Sequence, residues 1–153
     1  MHSDFKELLS AFSAHRVKYL VVGAYAVGVH AQPRATKDLD ILVKRDPENA
    51  MALYAALAQF GAPLEGLTPH NLVERGSFFR MGREPLAVDI LSEIAGVEFD
   101  GAWERRTEAV IDPVSGLTVY FISRRDLLTA KLAAGRAQDL ADVEAIRKAE
   151  ESQ

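Results

Sequence analysis

The chain has 153 residues, 48% of them hydrophobic, and a formal net charge of -4. That length and apolar content suit one domain around one core, and the acidic balance argues against a protein that coats nucleic acid through general basicity. With no cysteine there is no disulfide framework, thiolate nucleophile or cysteine-bound zinc, which agrees with a reducing cytoplasm, and His2, His15, His30 and His70 lack metal-ligand spacing.

At the amino end, Phe5, Leu8, Leu9 and Phe12 recur at helical spacing, with Ser3 as the expected cap. No basic-then-apolar leader opens the chain and no run approaches the roughly 20 apolar residues that span a bilayer, so a cytoplasmic protein without a membrane partner is expected. Lys18 to Val22 reads as a buried strand, and Gly23-Ala24 turns it into a small-residue helix ending near Ala31. A loop from Gln32 to Lys37 leads to a second strand, Asp38 to Val43. Asp46-Pro47-Glu48 opens a helix with Leu53, Leu57 and Phe60 on one face, and Gly61 stops it. Thr68-Pro69 could open a short helix.

Ser77 to Met81 and Pro85 to Leu91 predict a hairpin across Gly82-Arg83-Glu84. Residues 97–106 read as a short helix or a surface loop around Trp103. Thr107 to Ile111 and Leu117 to Ile122 predict another strand pair across Asp112-Pro113-Val114-Ser115-Gly116. Ser123 to Asp126 resembles a capping box before Leu127, Leu128 and Leu132, Gly135 interrupts that helix, and Leu140, Val143 and Ile146 mark a last one before a frayed tail from Glu150. The sum is an α/β (α+β) protein, a mixed sheet flanked by helices in a single domain spanning residues 1–153.

Asp38-Leu39-Asp40 is the candidate for chemistry, with a simply solvated acidic pair as the plainer alternative. Side chains alternate along a strand, so both carboxylates face one way, roughly 7 Å apart at the backbone. Carboxylates so placed repel unless a cation lies between them, and hard divalent metals serve that purpose. Asp89 interrupts the apolar strand Ala87-Val88-Asp89-Ile90-Leu91, where a buried aspartate needs a partner: a shared metal would provide one, and the solvent face of an edge strand is the plainer alternative. Gly23 and Ala24, at a helix start, would let backbone N–H groups approach phosphate oxygens, although their spacing matches neither the Walker loop nor the dinucleotide fingerprint. Arg34, Thr36 and Lys37 precede the acidic pair, either solvated or in reach of a polyphosphate. Lys131 borders an apolar helix face and either snorkels outward or reaches a phosphate. Arg136, Asp139 and Asp142 form either a structural ion-pair cluster or a support for Lys131 or the nucleotide.

Together these motifs resemble the nucleotidyltransferase superfamily of the DNA polymerase beta type, most closely its minimal nucleotidyltransferases and AbiEii-like toxin enzymes. The matching residues are Gly23-Ala24, Asp38-Leu39-Asp40 within RATKDLDILV, Asp89 in VDIL, and KLAAGRAQDLADV. The resemblance implies a nucleotidyltransferase-like fold and Mg²⁺ or Mn²⁺ held by Asp38, Asp40 and Asp89. It also implies transfer of a nucleoside monophosphate from a nucleoside triphosphate to an acceptor hydroxyl of RNA, protein or a small molecule, with Lys131 helping to bind the nucleotide and Asp139 in the toxin enzymes' fourth element. A homodimer or an antitoxin partner fits the same resemblance. Ala24 replaces the usual serine or second glycine, and the alternative it favours is a non-catalytic nucleotide- or partner-binding protein of the same fold.

Overall fold

The computed structural model describes residues 1–32, 38–83 and 86–152. Six strands, β1 (Tyr19–Val22), β2 (Leu39–Val43), β3 (Phe78–Met81), β4 (Val88–Leu91), β5 (Thr107–Asp112) and β6 (Leu117–Phe121), form one sheet in the order β3-β4-β2-β1-β6-β5. The sheet is mixed, as the sequence predicts: β1 runs antiparallel to β2 but parallel to β6, and β2 runs parallel to β4. The two predicted hairpins, β3–β4 and β5–β6, supply the sheet's ends. All four residues of β1 are buried, which explains its uninterrupted apolar sequence.

Six helices accompany the sheet among the described residues: α1 (Ser3–Ala14), α2 (Gly23–His30), α3 (Pro47–Phe60), α4 (Phe99–Glu104), α5 (Arg124–Ala134) and α6 (Ala137–Glu151), with a single 3-10 turn at His70–Leu72. None of these helices is long and apolar enough to cross a membrane. Phe5, Leu8, Leu9 and Phe12 of α1 and Leu53 and Leu57 of α3 are almost fully buried in the common core. Asp46 caps α3 by accepting a hydrogen bond from the Asn49 N–H at 2.6 Å, and Gly61 ends the helix in the left-handed region at φ 96.

Three sequence expectations change in detail. The cap of α1 is His2, whose Nδ1 accepts from the Asp4 N–H at 3.0 Å; Ser3 already lies within the helix. Leu132 and Leu140 are about half exposed, because the buried stripe of α5 and α6 runs instead through Leu127, Asp139, Asp142, Val143 and Ile146. The tail is helical as far as Glu151.

Asn49 fixes the geometry at the far end of the central strand pair. Its side chain accepts from the Lys18 N–H at 2.7 Å and donates to the carbonyls of Lys18 and Lys44 at 3.0 and 2.9 Å. It therefore joins the entry of β1 to the exit of β2, and through them the strands that carry the acidic residues. Asn49→Ala removes all three side-chain bonds, at an expected cost of roughly 2–3 kcal/mol. Thermal unfolding followed by circular dichroism should show Tm lowered by about 5–10 °C, given a few degrees per kcal/mol for a chain of this size.

Candidate active site

Parallel pairing of β2 with β4 sets Asp40 directly opposite Asp89. Register partners project to the same face of a sheet, so the two carboxylates lie side by side. Asp38, immediately before β2, adds its charge from two residues upstream. Burial first, then the neighbouring charges of Asp89 and Asp38, push the Asp40 carboxyl up to about 6 from an ordinary 3.8, with Lys131 pulling weakly the other way. Asp89 does not lie on the solvent face of an edge strand: its side chain is 13% exposed, and β3 separates β4 from the sheet's edge.

The opposite neighbour of Asp89 across β3–β4 is Arg80. Arg80 NH1 donates to both Asp89 oxygens, at 3.2 and 3.0 Å, and NH2 stands 3.6 Å from Asp38 Oδ2. Sequence reasoning did not single out this residue. The signal was present as a charged residue in a predicted strand facing the strand that holds Asp89, but it becomes specific only once the hairpin register is known.

Gly23 follows the last residue of β1, which pairs with Asp40. Its φ of +68 lies in the left-handed region, and a Cβ there would run into the Asp40 carboxylate. Glycine at this position thus allows both the turn and the close approach of the acidic strand. No described side chain caps the start of α2. At the other end of α2, His30 Nε2 donates to the Ile122 carbonyl at 2.7 Å, which ties the helix to the end of β6.

A cleft of about 230 Å³ opens beside this corner, lined by Gly23, Asp40, Lys131, Arg136 and Asp139 among others. Five of the residues singled out from sequence therefore meet in one place. Ala24 is half-buried and does not line the cleft, while Asp38 and Asp89 adjoin it through Asp40. Arg34, Thr36 and Lys37 lie outside the described residues.

Lys131 does not snorkel to the surface. The side chain is 13% exposed and reaches the cleft, with Nζ 3.3 Å from Asp139 Oδ1 and 2.9 Å from Asp142 Oδ2. Asp139 also accepts from Arg136 Nε at 2.6 Å and from the Arg136 backbone N–H at 3.2 Å, closing a capping box at the start of α6. The Arg136 guanidinium, opposed by burial and assisted by Lys131, holds the Asp139 carboxyl below the usual carboxylate range. Gln138 Nε2 donates to Asp142 Oδ1 at 2.9 Å. Two buried carboxylates thus fix a lysine that their helix partner α5 presents to the cleft.

Oxygen-only, acidic donors on two adjacent strands suit a hard divalent cation, which would offset both the burial and the neighbouring charges that raise the Asp40 carboxyl. In the arrangement seen, no three described histidine, aspartate or glutamate side chains already surround one point. Arg80 instead bridges Asp89 and Asp38.

Solved structures with this fold include the lincosamide antibiotic adenylyltransferase LnuA bound to lincomycin, at 16% identity and a TM-score of 0.61 over 97% of this chain and 98% of that one. Another is the antibiotic-resistance protein ANT(2")-Ia in complex with adenylyl-2"-tobramycin, at 15% identity and a TM-score of 0.57, covering 95% of this chain and 90% of that one. An antigenic nucleotidyltransferase-like protein from Paracoccidioides brasiliensis matches at 15% identity and a TM-score of 0.54, covering 95% and 77%. No curated protein matches at the level of sequence. Residues 2–149 match the family described as "Nucleotidyltransferase of unknown function (DUF6036)", and the chain belongs to that family.

Proposed function

We propose that this protein is a metal-dependent nucleotidyltransferase that moves a nucleoside monophosphate from a nucleoside triphosphate to an acceptor hydroxyl and releases pyrophosphate. The observation that carries this reading is the direct pairing of Asp40 with Asp89 beside the start of α2, where Gly23 packs against the Asp40 carboxylate. Asp38, Asp40 and Asp89 would hold Mg²⁺ or Mn²⁺, which neutralises triphosphate charge and stabilises the entering and leaving oxygens. The first N–H groups of α2 would receive phosphate oxygens, and Lys131, held by Asp139 and Asp142, adds a positive charge from the opposite wall. A carboxylate oxygen of Asp89 takes the acceptor proton as the acceptor oxygen bonds to the α-phosphorus. The bond from that phosphorus to the bridging oxygen breaks, and pyrophosphate leaves with the electron pair.

A second reading, nucleotide binding without turnover, is favoured by Ala24, which offers no hydroxyl where related motifs carry serine. A transfer assay separates the two. The protein is given each α-labelled nucleoside triphosphate with Mg²⁺ or Mn²⁺ and a cell extract, and label is sought in RNA, protein and small molecules. Metal-dependent label is expected in one fraction, and Asp40→Asn should lower it by at least about a hundredfold, the scale of losing a charge-stabilising group. Nucleotide binding with no label in any fraction supports the non-catalytic reading, and transfer retained by Asp40→Asn sinks the assignment of that residue.

The raised carboxyl of Asp40 gives a separate test on stability. Between its unfolded value near 3.8 and its folded value of about 6, the native protein binds more protons than the unfolded chain, so rising pH destabilises it. Without metal, Asp40→Asn should therefore melt above wild type at neutral pH. The difference should be full above about pH 6 and absent below about pH 4, as read by thermal unfolding across that range in EDTA. Gly23→Ala is expected to lose transfer, because its Cβ displaces the Asp40 carboxylate, and to lose about 1–2 kcal/mol of stability from the left-handed backbone. The labelled-transfer assay and a melting curve read the two effects.

A further inference from the structure

Arg80 stands where an acidic site would otherwise be most repulsive. It lies on β3, at the sheet's edge, opposite Asp89, and its guanidinium spans two elements: both oxygens of Asp89 on β4 through NH1, and Asp38 before β2 through NH2. A pair confined to the β3–β4 hairpin would be an ordinary cross-strand contact. The reach to Asp38 makes it a bridge across the mouth of the acidic site instead.

Both Asp89 oxygens are engaged by the same cation, so a metal that takes an Asp89 oxygen comes within contact distance of Arg80. The two positive groups share one carboxylate and repel each other at that distance. The arginine is able to yield: its side chain is 40% exposed, against 13% for Asp89, so it moves into solvent without opening the core.

We propose that Arg80 is a built-in counter-cation of the acidic site, a positioning residue that holds Asp38 and Asp89 together before metal arrives and gives way when it binds. This inference rests on the nucleotidyltransferase reading and deepens it. Metal loading then costs the breaking of one ion-pair bridge, which lowers metal affinity in the absence of substrate while keeping the carboxylates gathered.

The test is calorimetric titration of Mn²⁺ into the full chain without nucleotide, near neutral pH, for wild type, Arg80→Gln and Arg80→Lys. Arg80→Gln is expected to bind Mn²⁺ roughly three- to tenfold more tightly than wild type, on the scale of a charge-assisted pair. Arg80→Lys should fall between, since lysine keeps the charge but not the two-pronged geometry. Melting in EDTA should show Arg80→Gln below wild type, with a larger rise in Tm on adding Mn²⁺. Equal or weaker Mn²⁺ binding by the glutamine variant overturns the proposal. If that variant does not fold, the lysine variant decides, with binding no tighter than wild type overturning it. Failure of all three proteins to bind Mn²⁺ removes the metal-dependent reading itself, whereas binding by wild type without a gain in the variants removes only the role given to Arg80.

Discussion

Like charge gathered at one corner of the sheet is the constraint on which the rest of this structure depends. Asp38, Asp40 and Asp89 come together because β2 and β4 run parallel in a register that places Asp40 beside Asp89. Carboxylates at that separation oppose folding, and the effect is visible at Asp40, where burial and its acidic neighbours lift the carboxyl to about 6. The sequence could have relieved this repulsion with an amide. It keeps three acids and surrounds them with cations on separate elements: Arg80 from β3 and Lys131 from α5. Neither cation is an accident of a flexible surface chain, since each is held at two carboxylates.

The supports behind the site are more deeply buried than the site. Asp139 and Asp142 are 1% and 2% exposed, yet both carry charge toward Lys131. Buried ion pairs of this kind add little net stability, because desolvation offsets most of their attraction. Their stronger effect is geometric. A lysine ammonium on a four-carbon stem has many positions open to it, and two fixed acceptors on α6 reduce them to one that faces the cleft. The short turn through Gly135 is what brings α6 back along α5, and Arg136 begins the new helix while bonding the same Asp139.

Much of the fold was legible because its local signals agree with its tertiary pairing. The Asp46-Pro47 start and Gly61 stop of α3, the Asp112-to-Gly116 turn and the Ser123 cap of α5 each act through atoms within a few residues, and each stands where the sequence puts it. Asp40 and Asp89 were legible as candidates because an aspartate within an apolar strand is out of place without a partner. What could not be read is whatever depends on register between distant segments. Arg80 looks like any polar residue of an edge strand until β3 is aligned with β4, and Asn49 looks like helix filler until Lys18 and Lys44 are brought to it. Leu132 and Leu140 are exposed in the same way: the inward faces of α5 and α6 carry the lysine–aspartate cluster beside Leu127, Val143 and Ile146, and periodicity of apolar residues does not register it.

Ala24 illustrates how a departure from a motif is weighed once the backbone is known. On sequence alone the missing hydroxyl counts against phosphate contact. In the structure the residue that touches the acidic strand is Gly23, whose left-handed backbone and bare Cα admit the Asp40 carboxylate, while Ala24 sits half-buried and off the cleft wall. Under the proposed function a phosphate would meet the start of α2, where no described side chain caps the helix, and backbone N–H groups are supplied equally by alanine and serine. For that reading, a hydroxyl at position 24 would add one donor to those backbone groups. Loss of the bare Cα at position 23 would instead move the carboxylate itself, so the tolerance of this corner to substitution is set by glycine rather than by the residue after it.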